Sequence, residues 1–389
     1  MPPLFEAEIV EGIEALAENE LRQMREVQIV SRGRGAVQFT YAGNLRRLQA
    51  LKLTQAIYAV QSFAVPRPKA LLGDQHFRTI MTQVDAVLVA WPRNTFKTIH
   101  IAAAGAESGV MQRLLADLAR QTGLQPNLEE GDLLLRIRSK SQKPRVKRQE
   151  LRIQSQESRI QNTEVKVMGK RLGSALSTQY STLNSQLSTL NSPAWEVLTR
   201  LTPRPLATRA WRVCNYEGAL NATVARAMAL LTQPKPNDVV LNVFCGSGSL
   251  LIERGLWGEA AQMMGCDINQ LARDCAEQNI KAAAFAKALQ VMDWDARQLP
   301  LPDQSVDVLL ADLPFGNLLG SHRDNLNLYP AVLREAARVA KPNARFVLIT
   351  HEIKLIEAVL TDLSGLWQVK ESLKVTLRGL HPRIYILNR

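Results

Sequence analysis

The chain has 389 residues, of which 46% are hydrophobic and 22% charged, and its formal net charge is +12 at pH 7. This length accommodates two or three domains, and no apolar stretch is long enough to cross a membrane. The four cysteines and five histidines lack metal-ligand spacing, so no metal site is expected. We interpret the cysteines as packing residues of a reducing cytosol rather than disulfides or ligands: Cys214, Cys245, Cys266 and Cys275.

Residues 1–64 carry the pattern of a small α+β domain. Its predicted elements are a strand at 5–10, a helix at 12–24, a hairpin of strands 27–30 and 35–39, a helix at 45–52 that Asn44 can cap, and a strand at 57–63. This β-α-β-β-α-β order predicts a ferredoxin-like domain.

A second α+β domain is predicted over residues 65–203, with a basic, low-complexity insertion at about 139–193. Its elements are predicted as helix 73–84, strand 98–103, helix 108–122, strand 132–137 and a final strand at 195–201. Removing the insertion brings the last two strands together in sequence, so we expect them to pair as neighbours. The segment is therefore interpreted as an insertion within a domain and not as a linker.

The insertion holds most of the excess positive charge. Between Arg138 and Pro193 there are eleven Lys and Arg residues but only three acidic ones, and the five residues 181–185 recur at 188–192. Such a composition buries little apolar surface, so we expect disorder or weak helix. Two interpretations stay open: a basic arm that contacts RNA phosphates, or a solvated loop without a specific role.

A glycine-rich turn follows the first predicted strand of the C-terminal half. The apolar run 238–243 precedes Phe244-Cys-Gly-Ser-Gly248, and a helix is predicted to start at Ser247 or Ser249, either of which can cap it. A second strand, 262–266, ends at Asp267, which is well spaced to bind ribose hydroxyls. Because the glycines do not follow G-x-G-x-x-G, a nucleoside smaller than a dinucleotide is favoured. By itself, the turn also fits an unrelated α/β domain.

A second motif lies seventy residues downstream, at Asp312-Leu-Pro-Phe315. Because strand 305–311 precedes it, Asp312 stands at a carboxyl-terminal strand end, where ligands bind in open α/β sheets. The Asp312 carboxylate and the Leu313 carbonyl can accept hydrogen bonds from the amino group of a nucleobase, while Phe315 can stack on the base. Pro314 stiffens the turn. Without the glycine turn this would be an ordinary strand ending; together, the two motifs indicate methyl transfer to an exocyclic nitrogen.

The C-terminal half is predicted to be a doubly wound α/β sheet. Its predicted strands are 239–243, 262–266, 289–292, 306–311 and 345–350, with helices at 268–285 and 328–340 and two final strands at 368–377 and 383–387. The short connection between the last two requires antiparallel pairing. After the third strand, Asp295 could accept a hydrogen bond from an adenine and Trp294 could flank it, whereas Asp293 is interpreted as part of a solvated turn.

From about residue 204 onward, the chain resembles the class I S-adenosylmethionine-dependent RNA methyltransferases that contain THUMP domains, most closely the tRNA guanine-N2 methyltransferases. The resemblance is carried by Arg204-Pro-Leu-Ala207, Phe244-Cys-Gly-Ser-Gly248, Asp312-Leu-Pro-Phe-Gly316, Gly320-Ser-His322, Asn325 and Leu328-Tyr-Pro330. It implies a Rossmann-like domain with an antiparallel C-terminal hairpin at 204–389, preceded by the ferredoxin-like domain and a THUMP-like RNA-binding domain. One departure is Asn242, where many relatives carry Asp.

The resemblance also assigns site residues. The cofactor residues would be Asn242, Phe244, Cys245, Gly246, Ser247, Gly248, Asp267, Ile268, Asp295, Ala296 and Asp312. The catalytic residues would be Asp312, Leu313, Pro314 and Phe315. The substrate-binding residues would be Phe315, Gly316, His322, Arg323 and Asn325.

The implied activity is S-adenosylmethionine-dependent formation of N2-methylguanosine in tRNA, at guanosine-6 of the acceptor stem. Alternatives are another tRNA site, rRNA guanine-N2, adenine-N6 and DNA, although the N-terminal domains argue against DNA. A non-catalytic RNA-binding protein is a further alternative, against which the intact motifs argue. We expect a cytoplasmic monomer without a membrane association, although the sequence itself does not determine the oligomeric state.

Overall fold

The computed structural model describes residues 2–140, 194–285, 287–315, 321–377 and 379–389. Two compact units are present: Met1–Ala59 together with Leu201–Arg389, and Val60–Arg200. The described strands are β1 (Leu4–Ile9), β2 (Val27–Gly33), β3 (Ala36–Tyr41), β4 (Thr54–Phe63), β5 (Thr98–Ala103), β6 (Gln125–Pro126), β7 (Leu133–Lys140), β8 (Ala194–Arg200), β9 (Val239–Val243), β10 (Gln262–Cys266), β11 (Leu289–Met292), β12 (Val306–Asp312), β13 (Ala340–Thr350), β14 (Gln368–Lys374) and β15 (Arg383–Asn388).

The described α-helices are α1 (Glu14–Arg22), α2 (Asp74–Val89), α3 (Gly109–Thr122), α4 (Ala222–Leu231), α5 (Ser249–Gly255), α6 (Gln270–Ala282), α7 (His322–Val339) and α8 (Ile353–Asp362). Two 3₁₀ helices occupy Leu45–Ala50 and Pro68–Leu72. The first of these was predicted as a helix at 45–52. Asn44 caps it as predicted, because its side chain accepts a hydrogen bond from the backbone N–H of Arg46.

The N-terminal part of the first unit is an antiparallel sheet in the order β2-β3-β1-β4. β1 places Phe5, Ala7 and Ile9 in the core, as its alternating sequence predicts. α1 packs beside the sheet through the buried side chains of Ala17 and Leu21.

The second unit contains strands in the order β8-β7-β5-β6. β5 runs parallel to β7, and β7 runs antiparallel to β8 with Lys140 opposite Ala194. The predicted pairing of the strands that flank the insertion is therefore confirmed. Glu196 of β8 forms ion pairs with Arg138 at 2.8 Å and with Lys140 at 3.0 Å. The predicted disorder and the repeat of the insertion lie outside the described residues.

The C-terminal part of the first unit is a seven-stranded sheet in the order β11-β10-β9-β12-β13-β15-β14. Strands β9 to β13 run parallel, whereas β15 is antiparallel to both β13 and β14. The mixed α/β architecture is as predicted. Because β9, β10 and β12 are adjacent and parallel, their carboxyl ends meet at one edge, which brings the two sequence motifs together.

Residues 1–59 make backbone contacts with the far end of the chain. The N–H of Thr376 donates to the carbonyl of Glu11 at 2.9 Å, and a methyl group added at Gly12 would lie 2.0 Å from the Lys374 carbonyl oxygen. On another side, buried Arg209 donates to the Lys52 carbonyl at 2.6 Å and to the Glu253 carboxylate at 2.7 Å. These contacts make residues 1–59 part of the same compact unit as the C-terminal sheet.

Candidate functional site

A cavity of about 850 Å³ opens where β9, β10 and β12 end. Its described walls contain these residues predicted from the sequence: Phe244, Cys245, Gly246, Ser247, Asp267, Ile268, Asp295, Ala296, Asp312 and Pro314. Neighbouring walls contain residues that were not assigned to the site from the sequence: Tyr216, Glu217, Gly218, Ala219, Leu220, Ser249, Leu250, Cys266, Asn269, Arg297, Asp324, Asn327, Leu328 and Ala331. The structure thus brings both sequence motifs into one cavity.

The glycine turn is held against the end of β10 by Asp267. One carboxylate oxygen of Asp267 accepts the N–H of Gly246 at 3.0 Å, and the other accepts the N–H of Asn269 at 2.9 Å. Each oxygen keeps a lone pair for a ligand. Gly248 has φ +80° and precedes α5 as its N-cap without a side-chain hydrogen bond. The helix therefore starts at Ser249, as one of the two predictions had it, but serine capping is wrong.

Asn242 lies behind the cavity and not on its wall. Its side chain is fully buried and donates to the carbonyls of Val243 and Leu310, both at 3.1 Å. It thereby ties β9 to β12. Its Oδ1 is buried without a hydrogen-bond partner.

The two aspartates of the turn after β11 each form an ion pair with an arginine. Asp295 is held by Arg297 at 2.7 Å, and this pairing lowers the pKa of Asp295. Asp293 is paired with Arg273 at 2.8 Å and is largely exposed, at 68%, in accordance with the solvated turn predicted for it. Trp294 and Ala296 line the cavity beside Asp295.

The wall formed by residues 216–220 is anchored by a disulfide that was not predicted. Cys214 is bonded to Cys275 of α6, and their Cα atoms are 5.4 Å apart. The Asn279 side chain reinforces the anchor by accepting the Cys214 N–H at 2.9 Å and donating to the Cys214 carbonyl at 3.1 Å. The prediction of four unpaired cysteines is therefore wrong for this pair, because a separation of 61 residues leaves no spacing signal in the sequence.

The remaining cysteines, Cys245 and Cys266, are buried free thiols, as predicted. The cytosolic assignment rested partly on the absence of disulfides, so that part of its basis is lost.

The Asp312 carboxyl faces the cavity from the end of β12. Burial raises its pKa to about 7. Among the described residues, no hydrogen-bond donor reaches this carboxylate. It is therefore a hydrogen-bond acceptor without a donor, and it lines the same cavity as Asp267.

The rest of the Asp-Leu-Pro-Phe turn packs into the protein. Leu313 is buried, and its N–H donates to the Ile349 carbonyl at 3.0 Å. The ring of Phe315 lies 3.9 Å from the ring of His351, with 41° between their planes. Sequence analysis missed His351; its place at the end of β13, next to β12, is the signal that could have identified it. Burial lowers the pKa of His351, which favours a neutral ring at pH 7.

The residues predicted to bind substrate are dispersed around this turn. Asn325 is fully buried and contacts the Pro314 carbonyl. His322 is exposed and paired with Glu352 at 2.9 Å, and Arg323 is exposed on the first turn of α7. Gly316 lies outside the described residues.

Across the described ranges, none of the helices is both long and apolar enough to span a bilayer. The same residues contain no group of three or more His, Cys, Asp or Glu side chains arranged to hold a metal ion.

The C-terminal half of the chain is similar in sequence to known proteins. Residues 209–383 match the family model UPF0020, described as the RMKL-like methyltransferase domain. The mouse (Mus musculus) protein named tRNA (guanine(6)-N(2))-methyltransferase THUMP3 is 35% identical over 183 residues, which are 44% of this chain and 36% of that protein. The Thermus thermophilus tRNA (guanine(6)-N2)-methyltransferase is 30% identical over 196 residues, which are 49% of this chain and 56% of that protein.

A solved structure has a similar fold. The crystal structure of TrmN from Thermus thermophilus aligns with a TM-score of 0.66 and 19% identity, covering 99% of both chains. By sequence, the chain spans about a third of the length of the mouse relative. The resemblance to methyltransferases is confirmed, because residues 209–383 match the UPF0020 methyltransferase-domain model.

Proposed function

We propose that the protein is an S-adenosylmethionine-dependent methyltransferase that forms N2-methylguanosine in tRNA, at guanosine-6 of the acceptor stem. The observation that carries this proposal is the buried Asp312 carboxylate, which lines the cavity and accepts no hydrogen bond from the described residues. Asp267, which follows the glycine turn, lines the same cavity. Relatives that match the domain are named as tRNA (guanine(6)-N2)-methyltransferases, which supports the choice of base and nucleotide.

The cavity fits S-adenosylmethionine in size and chemistry. Its volume of about 850 Å³ suits a nucleoside-sized ligand. Asp267 retains acceptor capacity for ribose hydroxyls, and Asp295 beside Ala296 is suited to the adenine edge. When bound, this cofactor supplies an electrophilic methyl group.

The chain's own residues would prepare the nucleophile. The lone pair of the guanine amino group is delocalised into the ring, so the amine is a poor nucleophile. An ionised Asp312 would accept an N–H of that amine and help to localise the lone pair, and Phe315 would stack on the base. A guanine taken from a helical stem costs a few kcal/mol to unstack, which such contacts would partly offset.

The upstream regions would bind the RNA. The order β2-β3-β1-β4 in residues 1–59 is that of a ferredoxin-like sheet, and we propose that domain for about residues 1–64. We propose a THUMP-like RNA-binding domain for about 65–203, supported by the separate compact unit at Val60–Arg200. A tRNA substrate would also place the protein in the cytoplasm.

The test is nucleoside mass spectrometry of tRNA and rRNA after incubation of the purified protein with S-adenosylmethionine. N2-methylguanosine mapped to position 6 of tRNA is the expected result. Methylation of another RNA or of adenine-N6 would correct the substrate. Cofactor binding by calorimetry without methylation of any RNA would favour a non-catalytic RNA-binding protein.

A further inference from the structure

One backbone carbonyl in the Asp-Leu-Pro-Phe turn receives two hydrogen bonds from α7. The Pro314 carbonyl accepts from Asn325 Nδ2 at 3.0 Å and from the Tyr329 hydroxyl at 2.8 Å. Both donors are fully buried. These two residues lie one helical turn apart on the same face of α7, so they reach a single point.

A third buried group completes the arrangement. The Tyr329 hydroxyl also lies 2.7 Å from Thr350 Oγ1, which in turn accepts the N–H of Glu352 at 3.0 Å. A carbonyl can only accept, so Tyr329 donates its hydrogen to Pro314. Thr350 must therefore donate to Tyr329, and the chain of bonds has one direction. Burial raises the pKa of Tyr329 well above its usual range, which keeps that hydrogen in place.

We infer that Asn325 and Tyr329, aided by Thr350, are positioning residues for methyl transfer: they hold the Pro314 carbonyl and thereby set Phe315 for the substrate base. This inference rests on the proposed function.

Holding this carbonyl fixes the peptide plane that joins Pro314 to Phe315, and so the base of the Phe315 side chain. The other end of the turn is already held, because Leu313 N–H donates to Ile349 and Asp312 pairs with Ile349 in the β12–β13 register. Among the described residues, the contacts from α7 hold the Pro314–Phe315 end of the turn together with the ring contact between Phe315 and His351. Because Asn325 is fully buried and its Nδ2 donates to the Pro314 carbonyl, we assign it a positioning role and not a contact with substrate.

The experiment compares two tyrosines that lose the same atom. Tyr329→Phe removes the hydroxyl that donates to Pro314. Tyr385→Phe is the matched control, because the Tyr385 hydroxyl also makes a hydrogen bond in the same unit, to Glu357 at 3.1 Å, away from the turn. Thr350→Val, which removes the donor to Tyr329, tests the direction of this series of hydrogen bonds.

We expect Tyr329→Phe to lower kcat on the order of 10- to 100-fold, with cofactor affinity and the KM for RNA within about two-fold of the wild type. Thr350→Val should lower kcat less, and Tyr385→Phe should leave it unchanged. In hydrogen–deuterium exchange, the peptide 306–315 should exchange faster in Tyr329→Phe than in Tyr385→Phe at equal melting temperature.

The outcomes separate this inference from the proposed function. Normal kcat and normal exchange in Tyr329→Phe would overturn the inference, as would a kcat loss matched by Tyr385→Phe. If the wild type does not methylate guanine but the exchange difference appears, the proposed function fails, while the hydrogen bonds to Pro314 still set the turn.

Discussion

Asp312 combines two demands on one side chain. Burial of the carboxyl raises its pKa to about 7, yet it accepts an N–H most strongly when ionised. The proposed substrate amine would donate the hydrogen bond that no described residue of the protein provides, and would thereby favour the ionised carboxylate. Strong perturbation of a carboxyl in a cavity is typical of functional sites.

Asp312→Asn should lower turnover by roughly 10²-fold or more, the scale for losing one preorganised polar group. For the wild type, kcat/KM should fall about ten-fold per pH unit below about 7, because the protonated carboxyl loses acceptor capacity. Steady-state kinetics with RNA across pH 5–9 checks both expectations. Cofactor affinity of the variant, measured by calorimetry, serves as the control and should be nearly unchanged. A pH profile that is flat from 5 to 8 would remove ionised Asp312 from the mechanism.

The same substitution should stabilise the fold at high pH. The pKa of Asp312 in the folded protein, about 7, lies above its ordinary value of 3.8. The folded state therefore binds this proton more tightly, and stability falls as pH rises from about 4 to 7. Because the side chain at this position of the variant Asp312→Asn carries no charge to bury, its free energy of unfolding at pH 8 should be about 1–3 kcal/mol larger than that of the wild type. The gain should vanish near pH 4 in denaturant titrations; an equal gain at both pH values would point to a cause other than ionisation.

At the level of elements, buried strands were the most predictable. The bounds 239–243, 262–266 and 289–292 are those of β9, β10 and β11, because short branched apolar runs between polar turns admit few alternatives. The two motifs followed from these strands, since parallel strands end at one edge. These strands of the seven-stranded sheet could therefore be predicted from the local sequence.

Several elements of the C-terminal half were predicted with the wrong ends or missed. The helix predicted at 328–340 begins at His322, where Ser321 and Asp324 form a capping box, and Pro330 is accommodated in its interior. α8, at Ile353–Asp362, was not predicted. The wall at 216–220 and its disulfide were missed for a long-range reason: Cys214 meets Cys275 only after α6 has packed.

The disulfide should stabilise the fold when it is oxidised. In the chain-entropy model, linking residues 61 apart is worth about 4 kcal/mol, and measured values are commonly smaller. Reductant should lower the melting temperature of the wild type but leave that of Cys214→Ser/Cys275→Ser unchanged. Calorimetric scans with and without dithiothreitol, at matched pH, provide the measurement. A wild-type melting temperature insensitive to reductant would show that the protein does not carry this bond in solution.

At the scale of the whole molecule, Gly12 controls how residues 1–59 meet the C-terminal sheet. Gly12→Ala should destabilise the protein by about 3 kcal/mol or more, because it combines a φ of +104° with a methyl group 2.0 Å from the Lys374 carbonyl oxygen. Gly379→Ala is the matched control: its φ is +82° but nothing lies within 4 Å of the added methyl group. Urea titration should give a clearly larger loss for Gly12→Ala; equal losses would mean that backbone strain alone matters.

The register of β7 and β8 allows the insertion to be replaced. Because Lys140 lies opposite Ala194, an Asn-Gly turn can stand in for residues 141–193. The shortened protein should keep its melting temperature within a few degrees. If the basic residues contact phosphates, RNA affinity should drop and the logarithmic salt slope flatten by about 0.7–0.9 per lost contact, as read by fluorescence anisotropy. An unchanged slope would support the solvated-loop interpretation, and an unfolded product would make the segment a structural part of its domain.

The contact of Glu11 and Gly12 with residues 374–376 also sets an order of events on the ribosome. Residues 1–59 are translated well before their partner, which follows about 315 residues later. At roughly 5–20 residues per second, the wait is roughly 15–60 s. Throughout that time the surface that will face the C-terminal strands is open to other nascent chains and to chaperones, so translation speed governs how long the growing polypeptide stays vulnerable.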